Sequence, residues 1–471
     1  MLFQTPEFAL LLGVTLAVFY GIPSGYRLHV LSFASLVFYA YSGVVDFVLL
    51  VGVIAITYFL SKRVSTAGSR WPIGVAIALL FASLLYFKYG EFVYENLQTV
   101  FGSSFPERSA FLSSALPLGI SFYTFQIVAY FVDLRRGRAT RARSLVEYTV
   151  FVAFFGQLVA GPIMRAKDYI PQLQVLKGGT WADIRVGGLM ILSGLLKKVV
   201  LADYLALRVD ERFVASSFSQ PEAWVAAGLF SFQIYFDFSG YVDIALGLAR
   251  MFGIKLAQNF RTPYLAGNPR DFWGRWHITL SRWFRDYMYI PMGGNRKGRV
   301  REIGSLLGVM VVAGLWHGAG WTFAIWGLIH AVYLAAHRYL PSGRLQSLVP
   351  VGARYKRVVY GGVGIGIFFT LTVLAWIPFR APDLATAAEM YRAAFTFGGV
   401  AEWVDEAKWI AVIGALFLLH VAEWWVLAHG RSAASIWAKA PAPARGSVYA
   451  ALLVLVISFS SSQQTFIYFR F

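Results

Sequence analysis

The sequence predicts an all-α protein that crosses a membrane many times, and three observations carry that prediction. Of 471 residues, 58% are hydrophobic and only 14% charged, where soluble domains average about 25% charged. The apolar residues come in long runs rather than alternating with charge, and mean hydropathy is +0.59. Several runs reach the roughly 20 residues that a spanning helix needs. Such a composition excludes disorder, a coiled coil and a small disulfide-stapled secreted domain.

The runs fall near 8–22, 29–42, 46–61, 72–87, 111–131, 146–164, 187–206, 224–236, 241–254, 303–316, 321–340, 358–379, 409–428 and 447–464. Some are short or broken by Gly and Pro, so ten to twelve true spans are expected, with re-entrant and interfacial helices beside them. The run 146–164 ends in Gly156-Gln157-Leu158-Val159-Ala160-Gly161-Pro162 and reads as re-entrant. Irregular backbone at membrane depth survives only where protein buries it or a wet cavity borders it. No internal repeat and no linker is evident, so residues 1–471 read as one membrane domain.

Loop charge gives the orientation. Segment 62–71 carries Lys62, Arg63 and Arg70, and 132–147 carries Arg135, Arg136, Arg138, Arg141 and Arg143. Segment 341–357 is basic through Arg344, Arg354, Lys356 and Arg357. By contrast 88–110 sets Glu91, Glu95 and Glu107 against Lys88 and Arg108, while 380–408 holds Asp383, Glu389, Glu402, Asp405 and Glu406. Basic loops stay in the cytoplasm, which places the N-terminus outside. Residues 1–7 contain no base, so no cleavable signal peptide is expected.

With 42 Lys and Arg against 24 Asp and Glu, the formal net charge is +18. In a membrane protein this surplus marks loops and lipid contact rather than nucleic acid. There is no cysteine, which removes thiolate nucleophiles, Cys-ligated metals and disulfides.

The most basic stretch is 255–302. Lys255, Arg261, Arg270, Arg275, Arg282, Arg285, Arg296, Lys297, Arg299 and Arg301 face only Asp271, Asp286 and Glu302. As a helix, Asp271–Tyr287 would align Trp276, Leu280, Trp283 and Tyr287 on one side and Arg275 with Arg282 on another. That describes an amphipathic segment on the cytoplasmic surface, with aromatics at the headgroup boundary and bases toward anionic lipid or an anionic ligand. A plain surface anchor explains the pattern as well as a ligand site does. If a ligand binds, a polyphosphate such as coenzyme A suits the guanidinium groups.

Among seven histidines, His317 stands out in Gly314-Leu315-Trp316-His317-Gly318-Ala319-Gly320, between two apolar runs. An ionisable group at membrane depth is a functional candidate by default. Its small neighbours leave room for a substrate, and imidazole suits general-base work; a buried histidine bonded to a carbonyl is the plain alternative. His330 and His337, seven residues apart on one helical face, read as packing or interface residues. Asp237 and Asp243 are intramembrane acids placed to pair with an arginine or orient a histidine. His420 and Glu423 share a helix face without a third ligand, so no metal is expected. No H-E-x-x-H, G-x-S-x-G or P-loop pattern occurs.

Taken in order, several motifs resemble the membrane-bound O-acyltransferase family. They are Leu116–Phe125, Leu158–Arg165, Tyr235–Asp243, Asn259-Phe260-Arg261-Thr262-Pro263-Tyr264, Asp271–Tyr287, Tyr289–Arg296, Trp316-His317-Gly318 and the ending Phe466–Phe471. Gly293-Gly294-Asn295-Arg296 and the C-terminus are most similar to the bacterial, AlgI-like branch that acetylates alginate. The resemblance implies helices around a funnel or tunnel, His317 as the catalytic base and His277 as the second characteristic histidine. Asp271, Arg275, Trp276, Arg282, Trp283, Arg285, Trp316, Asn295 and Arg296 would shape and charge the donor side.

It also implies transfer from cytoplasmic acetyl-CoA, with no bound cofactor, toward an exported polysaccharide. A periplasmic or extracellular SGNH-type partner would complete the transfer, and the cytoplasmic membrane of a bacterium would house the chain. Peptidoglycan, cellulose or teichoic acid (with a carrier-protein donor) are the alternative acceptors. A secondary transporter using Asp237, Asp243 and His317 as an ion relay is a remote reading.

Overall fold

The computed structural model describes residues 1, 3–102, 116–215, 217–339, 353–459 and 466. The ending 467–471, Glu107, Arg108 and Arg344 lie outside them, as do residues 111–115 of one apolar run. The side chains of Arg354, Lys356 and Arg357 are likewise outside the description. Every regular element described is helical. Six helices among the described residues are long and apolar enough to cross a membrane: Val44–Lys62, Trp71–Phe101, Arg299–His317, Gly361–Arg380, Ala407–Gly430 and Ala442–Phe459. This is the architecture of a multi-pass membrane protein. Other apolar runs form shorter helices, are interrupted by irregular backbone, or, as in Gln220–Met251 and Trp321–Tyr339, form helices long enough but less apolar.

The chain divides into two compact units, Met1–Leu195 with Gly240–Gln258, and Leu196–Ser239 with Asn259 onward. The first holds α1 (Pro6–Gly21), α2 (Arg27–Ala40), α3 (Val44–Lys62), α4 (Trp71–Phe101), α5 (Ile120–Arg135), α6 (Leu145–Ala153), α7 (Ala166–Gln174) and α8 (Trp181–Leu195). α4 carries a π-helical turn at Leu85–Tyr89. α6 is only 9 residues long, about 14 Å at 1.5 Å per residue, so the run 146–164 does not cross as one helix. Its continuation, Phe154–Met164, is irregular and buried. Gln157 Nε2 donates to Gln126 Oε1 at 2.5 Å, and the Gln126 amide donates to the Phe151 carbonyl.

Two bases of the 132–147 loop hold structure. Arg141 donates to the carbonyls of Lys62 (2.8 Å) and Val64, and Arg135 to those of Ser65 (2.7 Å) and Thr66. These guanidinium groups satisfy chain carbonyls at and beyond the end of α3, where a helix leaves acceptors open. Glycines set the packing of α8 against residues 240–251. A Cβ at Gly187 would come within 2.6 Å of the Gly247 oxygen, and one at Gly194 within 2.4 Å of the Gly240 oxygen. Small residues at such contacts let apolar helices approach backbone to backbone.

The second unit holds a π-helical turn at Leu196–Ala202 and α9 (Asp203–Phe213). α10 (Gln220–Met251) follows and contributes its residues after Ser239 to the first unit. Next come α11 (Pro269–Trp273), α12 (Ile278–Phe284), α13 (Arg299–His317), α14 (Trp321–Tyr339), α15 (Ala353–Arg380), α16 (Leu384–Phe395), α17 (Val400–Asp405), α18 (Ala407–Lys439) and α19 (Ala442–Phe459). α13 and α14 form the tightest hairpin. A Cβ at Gly314 would meet the Phe323 oxygen at 2.1 Å, and one at Gly327 the Met310 oxygen at 2.2 Å.

The opposite end of that hairpin is tied by Glu302. Its carboxylate accepts from Tyr289 (3.1 Å) and Tyr339 (2.8 Å) and pairs with Arg338 at 2.8 Å. Further pairs join helices within the unit, Arg212 with Glu406 through two bonds (3.0 and 2.8 Å) and Arg380 with Asp210 at 2.5 Å.

A candidate active site around two histidines

The expected continuous helix over Asp271–Tyr287 is not what forms. Asn268 caps α11 by accepting from the Asp271 N–H at 2.9 Å, with Pro269 opening the helix. The chain then leaves the helix at Gly274–His277 and restarts as α12, with His277 in the left-handed region at φ 41°, ψ 53°. α12 passes into a π-helical turn at Arg285–Tyr289.

The break turns Trp276 inward. It is fully buried, against Phe260 (5.1 Å), Phe272 (5.8 Å) and Trp376 (5.0 Å between ring centroids). The headgroup-facing stripe read from the sequence therefore does not exist as such, because helical periodicity does not carry across a left-handed residue.

His277 and Thr262 are the only non-glycine residues with positive φ among those described. Such backbone costs of order 1–3 kcal/mol and persists only where its surroundings over-determine it. Here Asn259 supplies much of that constraint. Its carbonyl accepts from Ile278 N–H (3.0 Å), and its Oδ1 accepts from both the N–H (3.0 Å) and the hydroxyl (2.9 Å) of Thr279. Arg261 N–H adds a bond to the Arg275 carbonyl at 2.9 Å. Segment 259–261 is thus laced to 275–279 on both sides of the strained histidine. Asn259 is itself fully buried.

His317 is the last residue of α13 and is 2% exposed; His277 is 0% exposed. Their ring centroids lie 6.3 Å apart at 62°. Trp316 touches both, 5.9 Å from His277 and 5.0 Å from His317. Trp326 (5.1 Å) and Phe379 (5.3 Å) complete the wall around His317, and Phe238 (4.7 Å) stands beside His277.

The glycines flanking His317 do not leave open room, as the sequence suggested. The space at Gly314 is taken by the backbone of α14, and that at Gly318 by the Phe323 ring, 2.1 Å from where a Cβ would sit. They serve close packing that fixes the imidazole.

The structure sorts the other predicted residues. Asp271 and Arg275 pair with each other at 2.8 Å on a half-exposed rim. Arg285 is exposed and pairs with Asp286 at 2.7 Å; Arg282 is exposed one turn before it. Trp283 is buried against Phe284 (5.5 Å) and Tyr287 (5.3 Å). Asn295 and Arg296 stand exposed in the turn after the π-helix.

Asp237 has a lysine among its partners, which the sequence reading did not anticipate. Lys198 Nζ lies 2.8 Å from Asp237 and 2.6 Å from Asp203, all three buried. Asp243 is half-buried on the part of α10 that belongs to the first unit. Neighbouring Lys197 reaches Glu423 at 2.5 Å. That carboxylate also accepts from Tyr235 (2.6 Å) and lies 3.2 Å from His420. His420 and Glu423 thus belong to a hydrogen-bonded cluster. Among the described residues no three His, Asp or Glu side chains converge as metal ligands.

Sequence reasoning missed Asn259, Thr279, Lys198 and Trp326. Asn259 stood in a quoted motif without a role. Lys198 stood inside an apolar run, which was itself a signal.

The sequence model of the membrane-bound O-acyltransferase family matches residues 111–372. A probable alginate O-acetylase AlgI from Pseudomonas putida is 37% identical over 406 residues, covering 84% of this chain and 81% of that protein. A peptidoglycan O-acetyltransferase from Helicobacter pylori is 36% identical over 399 residues, covering 78% and 73%. A teichoic acid D-alanyltransferase from Bacillus subtilis is 29% identical over 272 residues, covering 52% and 67%. With its helical, membrane-crossing architecture, this chain is an acyltransferase that belongs to the membrane-bound O-acyltransferase family.

Proposed function

We propose that the protein moves acetyl groups from cytoplasmic acetyl-CoA across the bacterial cytoplasmic membrane, for O-acetylation of an exported polysaccharide of the alginate type. The observation that carries this reading is the buried His277–His317 pair, 6.3 Å apart in an aromatic enclosure. It occurs in a chain 37% identical to a probable alginate O-acetylase.

In the proposed step the His317 imidazole takes the proton of an attacking hydroxyl as its oxygen bonds to the thioester carbonyl carbon. The carbon–sulfur bond then breaks, and the leaving sulfur takes a proton from the imidazolium. Positioned proton transfer of this kind contributes about 10²–10⁴-fold. His277 polarises the carbonyl or steadies the charge that develops on its oxygen. Arg275, Arg282, Arg285, Asn295 and Arg296 lie at exposed or half-exposed positions suited to the anionic part of the donor, and Asp271 positions Arg275 through their ion pair.

The acceptor in the step is either the glycan or a relay hydroxyl, and a secreted SGNH-type partner would complete delivery. The basic loops support a cytoplasmic donor side with the N-terminus outside. The test is purified protein in nanodiscs with radiolabelled acetyl-CoA and an alginate-type polysaccharide, with and without the partner. Label in the polysaccharide supports the reading. Retention of all label on the thioester, with folded protein and partner present, overturns it.

A further inference from the structure

The third buried histidine of the second unit has no role in the step above. His330 sits on α14, fully buried. Its ring stacks on Phe272 (5.7 Å, 11°) and meets Trp273 (5.2 Å), Trp326 (4.9 Å) and Tyr333 (5.8 Å). Among the described residues, neither of its ring nitrogens has a hydrogen-bond partner, and nor do the buried indole Nε1 atoms of Trp273 and Trp326. Leaving one buried polar group unpaired costs about 1–3 kcal/mol, and folded proteins pair more than 90% of them. Four such atoms on three touching rings mark a place built for a polar guest.

The cluster also has a direction. Trp273 is half-buried beside the exposed rim of Asp271 and Arg275. From Trp273 the ring contacts run to His330 (5.2 Å), to Trp326 (4.9 Å) and then to His317 (5.1 Å). A series of buried donors therefore leads from a polar edge to the imidazole proposed to do chemistry.

The donor set defines the guest. Indole N–H groups only donate, and a neutral imidazole offers one donor and one acceptor. A secondary amide uses two of these three donors at its carbonyl and the one acceptor at its N–H, leaving one donor for a second carbonyl. The rings touching His330 are aromatic, so a buried phosphate there would lack the paired charge it requires. An alkyl chain would leave all four nitrogens unpaired. Neutral secondary amides are what the pantetheine arm of an acyl thioester carries, between its phosphate and its sulfur.

We propose that His330, with the indole N–H groups of Trp273 and Trp326, forms a recognition subsite for the amides of the thioester arm. It selects amide-bearing thioesters over plain alkyl thioesters. The proposal rests on the acyl-transfer reading of His317. Coenzyme A and a carrier protein present the same arm, so the subsite reads the shared chemistry and leaves the choice of carrier to other contacts.

The experiment uses the full chain in nanodiscs and three acetyl thioesters: acetyl-CoA, S-acetyl-N-acetylcysteamine, and an S-alkyl thioacetate of equal length without the amide. A second arm supplies acetyl on a carrier protein in place of acetyl-CoA. A buried hydrogen-bonding site rejects analogues that lack the bond, so wild type is expected to favour the amide thioester over the alkyl one by ~10⁴-fold in kcat/KM. His330→Phe should bring that ratio close to one, with His330→Gln between the two. Trp273→Phe and Trp326→Phe, which keep a ring but remove the N–H, should each lower it in part.

A folding defect lowers both rates and preserves the ratio. An unchanged ratio in His330→Phe and in both Trp→Phe variants overturns the proposal. The carrier whose rate falls in parallel with that of the cysteamine thioester is the source of the arm. If wild type turns over none of the donors, the acyl-transfer reading fails. The subsite then stands or falls on the quench of tryptophan fluorescence by N-acetylcysteamine, expected for wild type and lost in His330→Phe. The same quench in both proteins overturns it.

Discussion

The imidazoles of His277 and His317 meet edge-on, 6.3 Å apart between centroids, although one caps the start of α12 and the other ends α13. Two separate devices bring them there. Asn259 clamps the left-handed corner at His277, and the glycine-mediated approach of α14 fixes the end of α13. Both histidines are thus held by backbone geometry, the kind of support that keeps a reactive constellation preorganised.

If both imidazoles act on one chemical step, their removal is not additive. His317→Ala is expected to lower acyl transfer by about 10²–10⁴-fold. The double variant with His277→Ala should be little worse than the poorer single one. Initial rates with saturating thioester measure this, and fully multiplicative losses would count against a shared step.

Asn259→Leu should loosen the His277 corner and lower kcat more than it raises KM. It removes the acceptor for two Thr279 bonds while keeping the volume. Thr279→Val, which loses only the hydroxyl bond, is expected to have a smaller effect in the same direction. Steady-state kinetics on the two variants check it. A loss confined to KM would place Asn259 in donor binding instead.

Lys198→Met leaves Asp203 and Asp237 buried without their shared cation. Breaking such a buried pair typically costs about 3–5 kcal/mol. Asp203→Asn with Asp237→Asn in the Lys198→Met background should recover part of that loss. Thermal unfolding in detergent reads both.

Gly314→Val or Gly327→Val would drive a side chain into the backbone of the facing helix. Overpacking costs about 1–3 kcal/mol, and the shift at Gly314 should also displace His317. Melting temperature and transfer rate should fall together. A variant with normal melting and normal rate would contradict this backbone-to-backbone packing.

Asp383 caps α16 by accepting from the Thr386 N–H at 2.7 Å, and this bond holds its carboxyl below the ordinary value of 3.8. A lowered value means the cap contributes above pH 3.8 and is lost as the pH falls through the folded-state value. The melting difference between wild type and Asp383→Ala should therefore be steady near neutrality and shrink on acidification below pH 3.8.

The helical, membrane-crossing class was legible because apolar run length is a direct consequence of the bilayer. So was His317, since an ionisable side chain between apolar runs stands out against its background. The break at Gly274–His277 was not legible: the left-handed histidine depends on bonds from Asn259, eighteen residues upstream, and no local pattern encodes them. For the same reason Trp276 read as a surface aromatic and turned out to be core. The glycines at 314 and 318 were seen, but whether such a gap admits a ligand or a neighbouring helix depends on tertiary contact. Asp237 was identified as significant while its partner Lys198 was not, because pairing lies in the third dimension.

The most direct test of the central claim is single-turnover cleavage of radiolabelled acetyl-CoA by folded protein in nanodiscs, comparing wild type with His317→Ala. The account predicts rapid release of free CoA by wild type, with label passing to a hydroxyl acceptor, and a loss of at least about 10²-fold in the variant. Equal cleavage rates in the two proteins, both verified as folded, would contradict it.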